Sequence, residues 1–162
     1  MIPFISFVGR SDCGKTTYLE KLIRELKLRN FKVAIVKHDV HGFEIDKPGK
    51  DTWRYAQAGA DVVCISSPQK MAMIKKVDEE LKLEEVIQYI DGVDIIFTEG
   101  YKREAKTRIE VFRKAACDSP LCGNTELLAM ASDVVLYDDV PTFSLEDPAP
   151  MADFLVTKVL GK

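Results

Sequence analysis

The feature that most constrains the fold is an eight-residue loop between two hydrophobic patterns of different period. Residues 2–8 are a largely apolar run, residues 9–16 read GRSDCGKT, and Tyr18, Leu19, Leu22, Ile23 and Leu26 then recur at spacings of three and four. The run predicts a short buried strand and the spacing predicts a helix, so the chain between them must turn sharply. That turn fits G-x-x-x-x-G-K-[ST] without a mismatch. Each fixed position has a physical reason. Gly9 and Gly14 let the backbone bend so that successive N–H groups, those of Asp12 and Cys13 among them, converge on phosphate oxygens. Lys15 reaches the β and γ phosphates, and the Thr16 hydroxyl is a Mg²⁺ ligand. The helix that follows aims its positive end at the same anion.

The rest of the chain repeats the alternation. Residues 32–37 (KVAIVK), 61–66 (DVVCIS) and 93–98 (VDIIFT) read as strands, with a further one at MAMIKKV, residues 71–77. Helical patterns cover residues 51–58 and 81–90, and residues 147–159 form a closing helix with Phe154, Leu155 and Val159 inward. RIEVFR, residues 108–113, alternates as an antiparallel or edge strand does, and residues 127–131 and 134–137 supply two more strands. Strands alternating with helices imply a mainly parallel sheet covered on both faces. The expected fold is therefore three-layer α/β of the P-loop NTPase type, with some antiparallel edge strands. At 162 residues the chain has the length of one domain, residues 1–162, and it carries neither a repeat nor a linker rich in Gly, Ser or Pro.

Charge and cysteine usage narrow the partners. A formal net charge of −3 argues against sequence-independent nucleic-acid binding, which needs a basic surface to displace counterions. No run of apolar residues is long enough to span a bilayer, and the apolar start lacks a basic leader or a small-residue cleavage site. A cytoplasmic setting follows, in which Cys13, Cys64, Cys117 and Cys122 are expected as free thiols.

A phosphate loop needs a second carboxylate near the metal, and VDIIFTEG offers Asp94 and Glu99. Ligands in open α/β sheets lie beyond the carboxyl ends of the strands, which selects Glu99 and puts Asp94 at the far edge. Glu99 is thus the expected metal-side and catalytic acid, with Asp51 as second candidate. Lys37 and His38 end a strand at the same rim and predict a phosphate or substrate contact, against a plain surface loop. The His38 and His41 pair lacks further ligands for a zinc centre. Asp51 and Arg54 open a helix after a polar loop, where an N-cap for Asp51 and a nucleotide-sensing switch are compatible readings.

Taken together, GRSDCGKTT (9–17), KHDVH (37–41), the D-x-x-G-K-D-[ST]-x-R pattern at 46–54, AGA (58–60), TEGYK (98–102) and RIEVFR (108–113) resemble the MobB family, the accessory GTP-binding proteins of molybdopterin-guanine dinucleotide biosynthesis. The resemblance runs over nearly the whole length. It implies a homodimeric protein that binds GTP with Mg²⁺, with at most weak GTPase activity. It also implies an adaptor that assists a molybdopterin guanylyltransferase, or that helps deliver molybdopterin as its finished guanine dinucleotide. Carried over by motif, Gly14, Lys15 and Thr16 would hold phosphates and Mg²⁺, Thr17 would approach the α-phosphate, Glu99 would take the acidic strand-end place, and Lys102 would belong to the site through TEGYK. The guanine-reading N-K-x-D sequence of many GTPases is missing. Asp133, in ASD after a late apolar strand, is the nearest analogue, since a carboxylate accepts two parallel N–H donors, and a turn cap is the equal alternative. The rival function is an ATP-dependent small-molecule or nucleotide kinase, for which Arg54, Arg103, Arg108 and Arg113 could shield a transferring phosphoryl group.

Overall fold

The computed structural model describes residues 2–101 and 107–162, which fall into two compact units. The larger comprises Met1–His38 with Val86–Lys162, the smaller Asp39–Glu85. In the larger unit, strand β1 (Phe4–Val8) leads through the loop into helix α1 (Lys15–Leu28) and strand β2 (Val33–Lys37). Helix α2 (Asp51–Gln57) and strands β3 (Val62–Ser66) and β4 (Met71–Lys75) form the smaller unit, and a short helix α3 (Leu83–Ile87) follows. The chain then supplies strands β5 (Ile95–Glu99), β6 (Arg108–Phe112), β7 (Leu127–Ser132) and β8 (Thr142–Phe143), and helix α4 (Ala149–Leu155) runs on into a wide final turn at Val156–Leu160.

Six strands form one sheet in the order β2-β5-β1-β6-β7-β8, every neighbouring pair parallel. This is the expected mainly parallel α/β architecture. Strand β1 lies between β5 and β6, so the chain leaves its carboxyl end where connections diverge to either side, the position at which open α/β sheets bind ligands. The period-2 alternation puts Ile5, Phe7, Ile95, Phe97, Ile109 and Val111 into one core cluster with Tyr18, Leu19, Leu22 and Leu26 of α1. Met151, Ala152 and Leu155 of α4 complete it, all fully buried. Helix α1 ends in a Schellman-type turn. Asn30 takes a φ of 65°, and the Phe31 amide donates to the Leu26 carbonyl at 3.0 Å. Lys21 then ties α1 to the segment leading into α4 through Glu146 at 2.7 Å, and Arg29 ties it to α4 itself through Asp153 and the Ala149 carbonyl.

The alternate face of the sheet carries an internal polar strip: Ser6, Thr98, Glu110 and Ser132 are all buried. Ser6 and Thr98 lie opposite each other in register, and their hydroxyls share a hydrogen bond of 2.5 Å. The Glu110 side chain accepts the amides of Leu121 at 2.6 Å and Cys122 at 3.0 Å, which give both oxygens of a buried acid a partner.

Two expectations need correction. RIEVF is neither antiparallel nor an edge strand: β6 is interior and parallel to both β1 and β7. Its polar alternation reflects Glu110 meeting backbone amides and Arg108 pairing with Glu126 at 2.7 Å, not solvent. Residues 134–137 form no strand, because the Ser132 hydroxyl turns the chain by accepting the Val134 amide. The last strand is instead Thr142–Phe143. Strands β3 and β4, both expected as strands, pair antiparallel in a sheet of their own, Val63 opposite Ile74, with the Ser67 hydroxyl bonded across the turn to Lys70. Asp94 lies at the edge away from the loop, as expected, where it accepts the Lys32 amide and pairs with Lys162. No helix among the described residues is long and apolar enough to cross a membrane.

Candidate functional site

The loop leaves β1 at Val8 and re-enters regular structure at Lys15, with three residues at positive φ: Gly9 (149°), Asp12 (62°) and Gly14 (90°). Gly9 is fixed by space as well as by conformation. A Cβ there would stand 2.5 Å from the Val111 carbonyl oxygen and 2.8 Å from Cys13 Sγ. The loop therefore passes flush against β6, where only a residue without a side chain fits. Cys13 is buried beneath the turn and donates to the Arg10 carbonyl at 2.9 Å; burial pushes its thiol pKa up, with Lys15 opposing the shift. It is a packing element of the loop, in keeping with a protonated thiol.

The Lys15 ammonium folds back over the loop and donates to the carbonyls of Arg10 at 2.7 Å and Gly9 at 3.1 Å. Charged phosphate oxygens are stronger acceptors than these neutral carbonyls, so the lysine is placed to exchange them for an anion. Gly14 caps α1 without a side-chain hydrogen bond, and no acidic residue stands in the first turn. The positive end of a 14-residue helix thus meets the cleft with no acid in its own first turn. Arg10 points away from it, holding the Ser119 carbonyl at 3.0 Å and hydroxyl at 3.1 Å, which ties the loop to the segment after β6.

A cleft of about 460 Å³ opens over the loop, lined by Ser11, Asp12, Gly14, Lys15, Thr16, Thr17 and Glu99. The strand-end argument therefore brings Glu99 to the loop. Register places it level with Phe7 of β1 and Lys37 of β2. Thr16 and Glu99 add a hydroxyl and a carboxylate, both hard oxygen donors of the kind Mg²⁺ takes beside phosphate oxygens. The donor set on this cleft fits that ion.

His38 follows β2 and donates its amide to the Glu99 carbonyl at 2.8 Å, while its ring stacks on Tyr101 at 4.5 Å between centroids. A Cβ on Gly100 would lie 2.7 Å from His38 Cβ, so the glycine of TEGYK is required by the close passage of the His38 segment. Lys37 is exposed at the strand end. In the smaller unit, Asp51 is the first residue of α2 and Lys50 the N-cap, so Asp51 is not the cap; its carboxylate lies in the first helical turn, 3.9 Å from Arg54. Asp46 holds the same turn through Thr52 at 3.0 Å. Asp133 is exposed after β7 and accepts the Lys114 amide at 2.9 Å, the turn-capping role. Lys102 lies outside the described residues.

Sequence reasoning did not bring Arg113 to the phosphate loop. It follows β6 directly, and a methyl group on Gly14 would stand 3.9 Å from its Nη2. Sequence reasoning offered it only to the kinase reading, since it closes RIEVFR, a segment read as an edge.

Known proteins share the sequence and the fold of this chain. The family model for molybdopterin guanine dinucleotide synthesis protein B matches residues 4–133. The chain is 37% identical over 162 residues to the molybdopterin-guanine dinucleotide biosynthesis adapter protein of Escherichia coli (strain K12), covering 96% of this chain and 93% of that protein. It is 33% identical to the protein of the same description from Haemophilus influenzae, over 95% of this chain and 88% of the relative. Among solved structures, a molybdopterin-guanine biosynthesis protein B superposes with a TM-score of 0.76 at 30% identity, covering 98% of this chain and 99% of the other. The Bacillus subtilis MobB structure shares the fold at a TM-score of 0.77 and 24% identity, over 99% of this chain and all of that one.

Proposed function

The chain belongs to the molybdopterin guanine dinucleotide synthesis protein B family, and from that premise we propose that it is a GTP-binding adapter in the making or delivery of molybdopterin-guanine dinucleotide. The observation that carries the nucleotide part is the cleft in which the GRSDCGKTT loop and Glu99 meet. A helix end with no acid in its first turn, a lysine resting on neutral carbonyls and a loop glycine pressed on β6 form a cradle for a polyphosphate chain. Thr16 and Glu99 would hold Mg²⁺, whose contribution when bound is to neutralise charge on the phosphates. Lys15 holds the β and γ phosphates, and Thr17, one turn position further on, borders the α-phosphate.

Hydrolysis is expected to be slow. Positioned groups do most of the work in phosphoryl transfer, and a water-orienting group is needed in addition to the cradle. A partner would therefore complete any turnover, which suits an adapter acting with a molybdopterin guanylyltransferase as a homodimer. Asp133 is offered as the guanine reader through its second carboxylate oxygen. Calorimetric titration with GTP and ATP analogues in Mg²⁺ tests the reading, with Lys15→Ala as control. GTP should bind, ATP should bind more weakly, and Lys15→Ala should lose both. A clear preference for ATP would favour the kinase reading instead.

A further inference from the structure

The two strands that flank β1 end in opposite charges. Glu99 closes β5 on one side of β1, and Arg113 directly follows β6 on the other. The phosphate loop springs from β1 between them. Arg113 runs alongside that loop: a Cβ on Gly14 would lie 3.9 Å from its Nη2 and 4.0 Å from its Nε. Its backbone is held firmly, because its carbonyl accepts the amides of Ala116 and Cys117, each at 3.0 Å, and the next amide, of Lys114, bonds to Asp133 at 2.9 Å. The guanidinium is engaged far less tightly. It meets Glu146 Oε1 at 3.8 Å, beyond hydrogen-bond length, with the side chain 42% exposed. Glu146 spends its other oxygen on Lys21 at 2.7 Å.

A planar, always-charged group on a fixed stem beside a phosphate cradle is suited to an anionic oxygen pair, which a long contact to a carboxylate does not use. We propose that Arg113 is a nucleotide-binding residue that takes the α-phosphate, exchanging Glu146 for the ligand. The assignment to the α-phosphate follows from the charge layout. The metal-bearing end of the phosphate chain belongs on the Glu99 side with Thr16, so the nucleoside-proximal phosphate faces the β6 side. This rests on the GTP-binding reading above. The rival is an ordinary surface ion pair between Arg113 and Glu146, of little energetic consequence.

The two accounts differ in sign. If the pair is merely structural, Arg113→Ala and Glu146→Gln both break it, the second also loosening the Lys21 pair, and nucleotide affinity moves the same way in both. If Arg113 serves the ligand, Arg113→Ala weakens binding while Glu146→Gln, which removes the competitor, binds at least as tightly as wild type. Calorimetry of the full chain with GTP and with GDP in Mg²⁺ reads this directly. Arg113→Ala should weaken GTP and GDP alike by about tenfold, the scale of one charge-assisted contact. Arg113→Lys should recover part of the loss, and circular-dichroism melting should show both variants folded. Equal affinity in Arg113→Ala, a loss confined to GTP, or a parallel loss in Glu146→Gln would each overturn the assignment. No GTP binding by the wild type would remove the function reading itself, a different result from wild-type binding that ignores Arg113.

Discussion

Replacing Gly9 by alanine tests whether the loop is shaped by its contact with β6. The added Cβ meets the Val111 carbonyl oxygen at 2.5 Å and Cys13 Sγ at 2.8 Å, both closer than real Cβ contacts come. Neither neighbour can yield cheaply. Val111 sits in an interior strand bonded on both sides, and Cys13 is fully buried under the turn. A side chain at a φ of 149° adds backbone strain of about 1–3 kcal/mol, and overpacking adds about 1–3 kcal/mol more. The sum, about 2–6 kcal/mol, should lower Tm by roughly 4–24 °C at this chain length. Gly14→Ala is the internal comparison. Its φ of 90° is equally unsuited to alanine, but its nearest contact is the Arg113 guanidinium at 3.9 Å, so only the conformational cost of about 1–2 kcal/mol applies. Thermal denaturation followed by circular dichroism should rank wild type above Gly14→Ala above Gly9→Ala. Equal Tm values for the two variants would refute the steric argument, because the shared backbone term would then explain everything.

Glu99→Gln should leave nucleotide affinity largely intact while suppressing Mg²⁺-dependent phosphate release, measured with partner present; unchanged release would move the acidic role to Asp51. The Glu126 carboxyl is held below its ordinary value of 4.5, first by the Gly123 amide and then by Arg108. Its contribution to stability is therefore present above pH 4.5 and fades as pH falls through the lower folded-state value. The Tm gap between wild type and Glu126→Gln should close on acidification, and a gap that persists well into the acid range contradicts this. All four cysteines are free, and only Cys64 is exposed. Mass analysis after brief alkylation of the native protein should find Cys64 modified first, whereas early modification of Cys13 would contradict its burial beneath the loop.

What could be read from sequence was what is settled locally. Strand β1, the loop and α1 announce themselves because a change of hydrophobic period, two glycines and a lysine all fall within one short stretch. Glu99 was legible because polarity switches on at the end of VDIIFT and topology says which strand end faces a ligand. RIEVF was misread because its alternation has two physical sources that look alike in one dimension. A polar residue can face water, or it can face partners the sequence places elsewhere, as Glu110 faces the amides of Leu121 and Cys122. Residues 134–137 misled for a similar reason: Val134 and Tyr137 pack on the core from a turn, a burial that does not require a strand. Arg113 was invisible as a neighbour of Gly14, since their proximity exists only once β6 docks beside β1.

The hydroxyl pair of Ser6 and Thr98 bears on how faithfully the cleft assembles. Parallel strands rich in Ile, Val and Phe can slide past one another with little change in greasy contact, because one branched side chain substitutes well for the next. Two hydroxyls sealed in that surroundings cannot: any shift between β1 and β5 leaves both without a partner where water does not reach. A slip of one residue would also turn Glu99 to the opposite face of the sheet. The pair thus works as a proofreading mark for strand alignment, penalising every register except the one that brings an acid level with Phe7, two residues short of the loop's first glycine. Accuracy at the rim of the cleft is set deep in the sheet, by atoms that never meet a ligand.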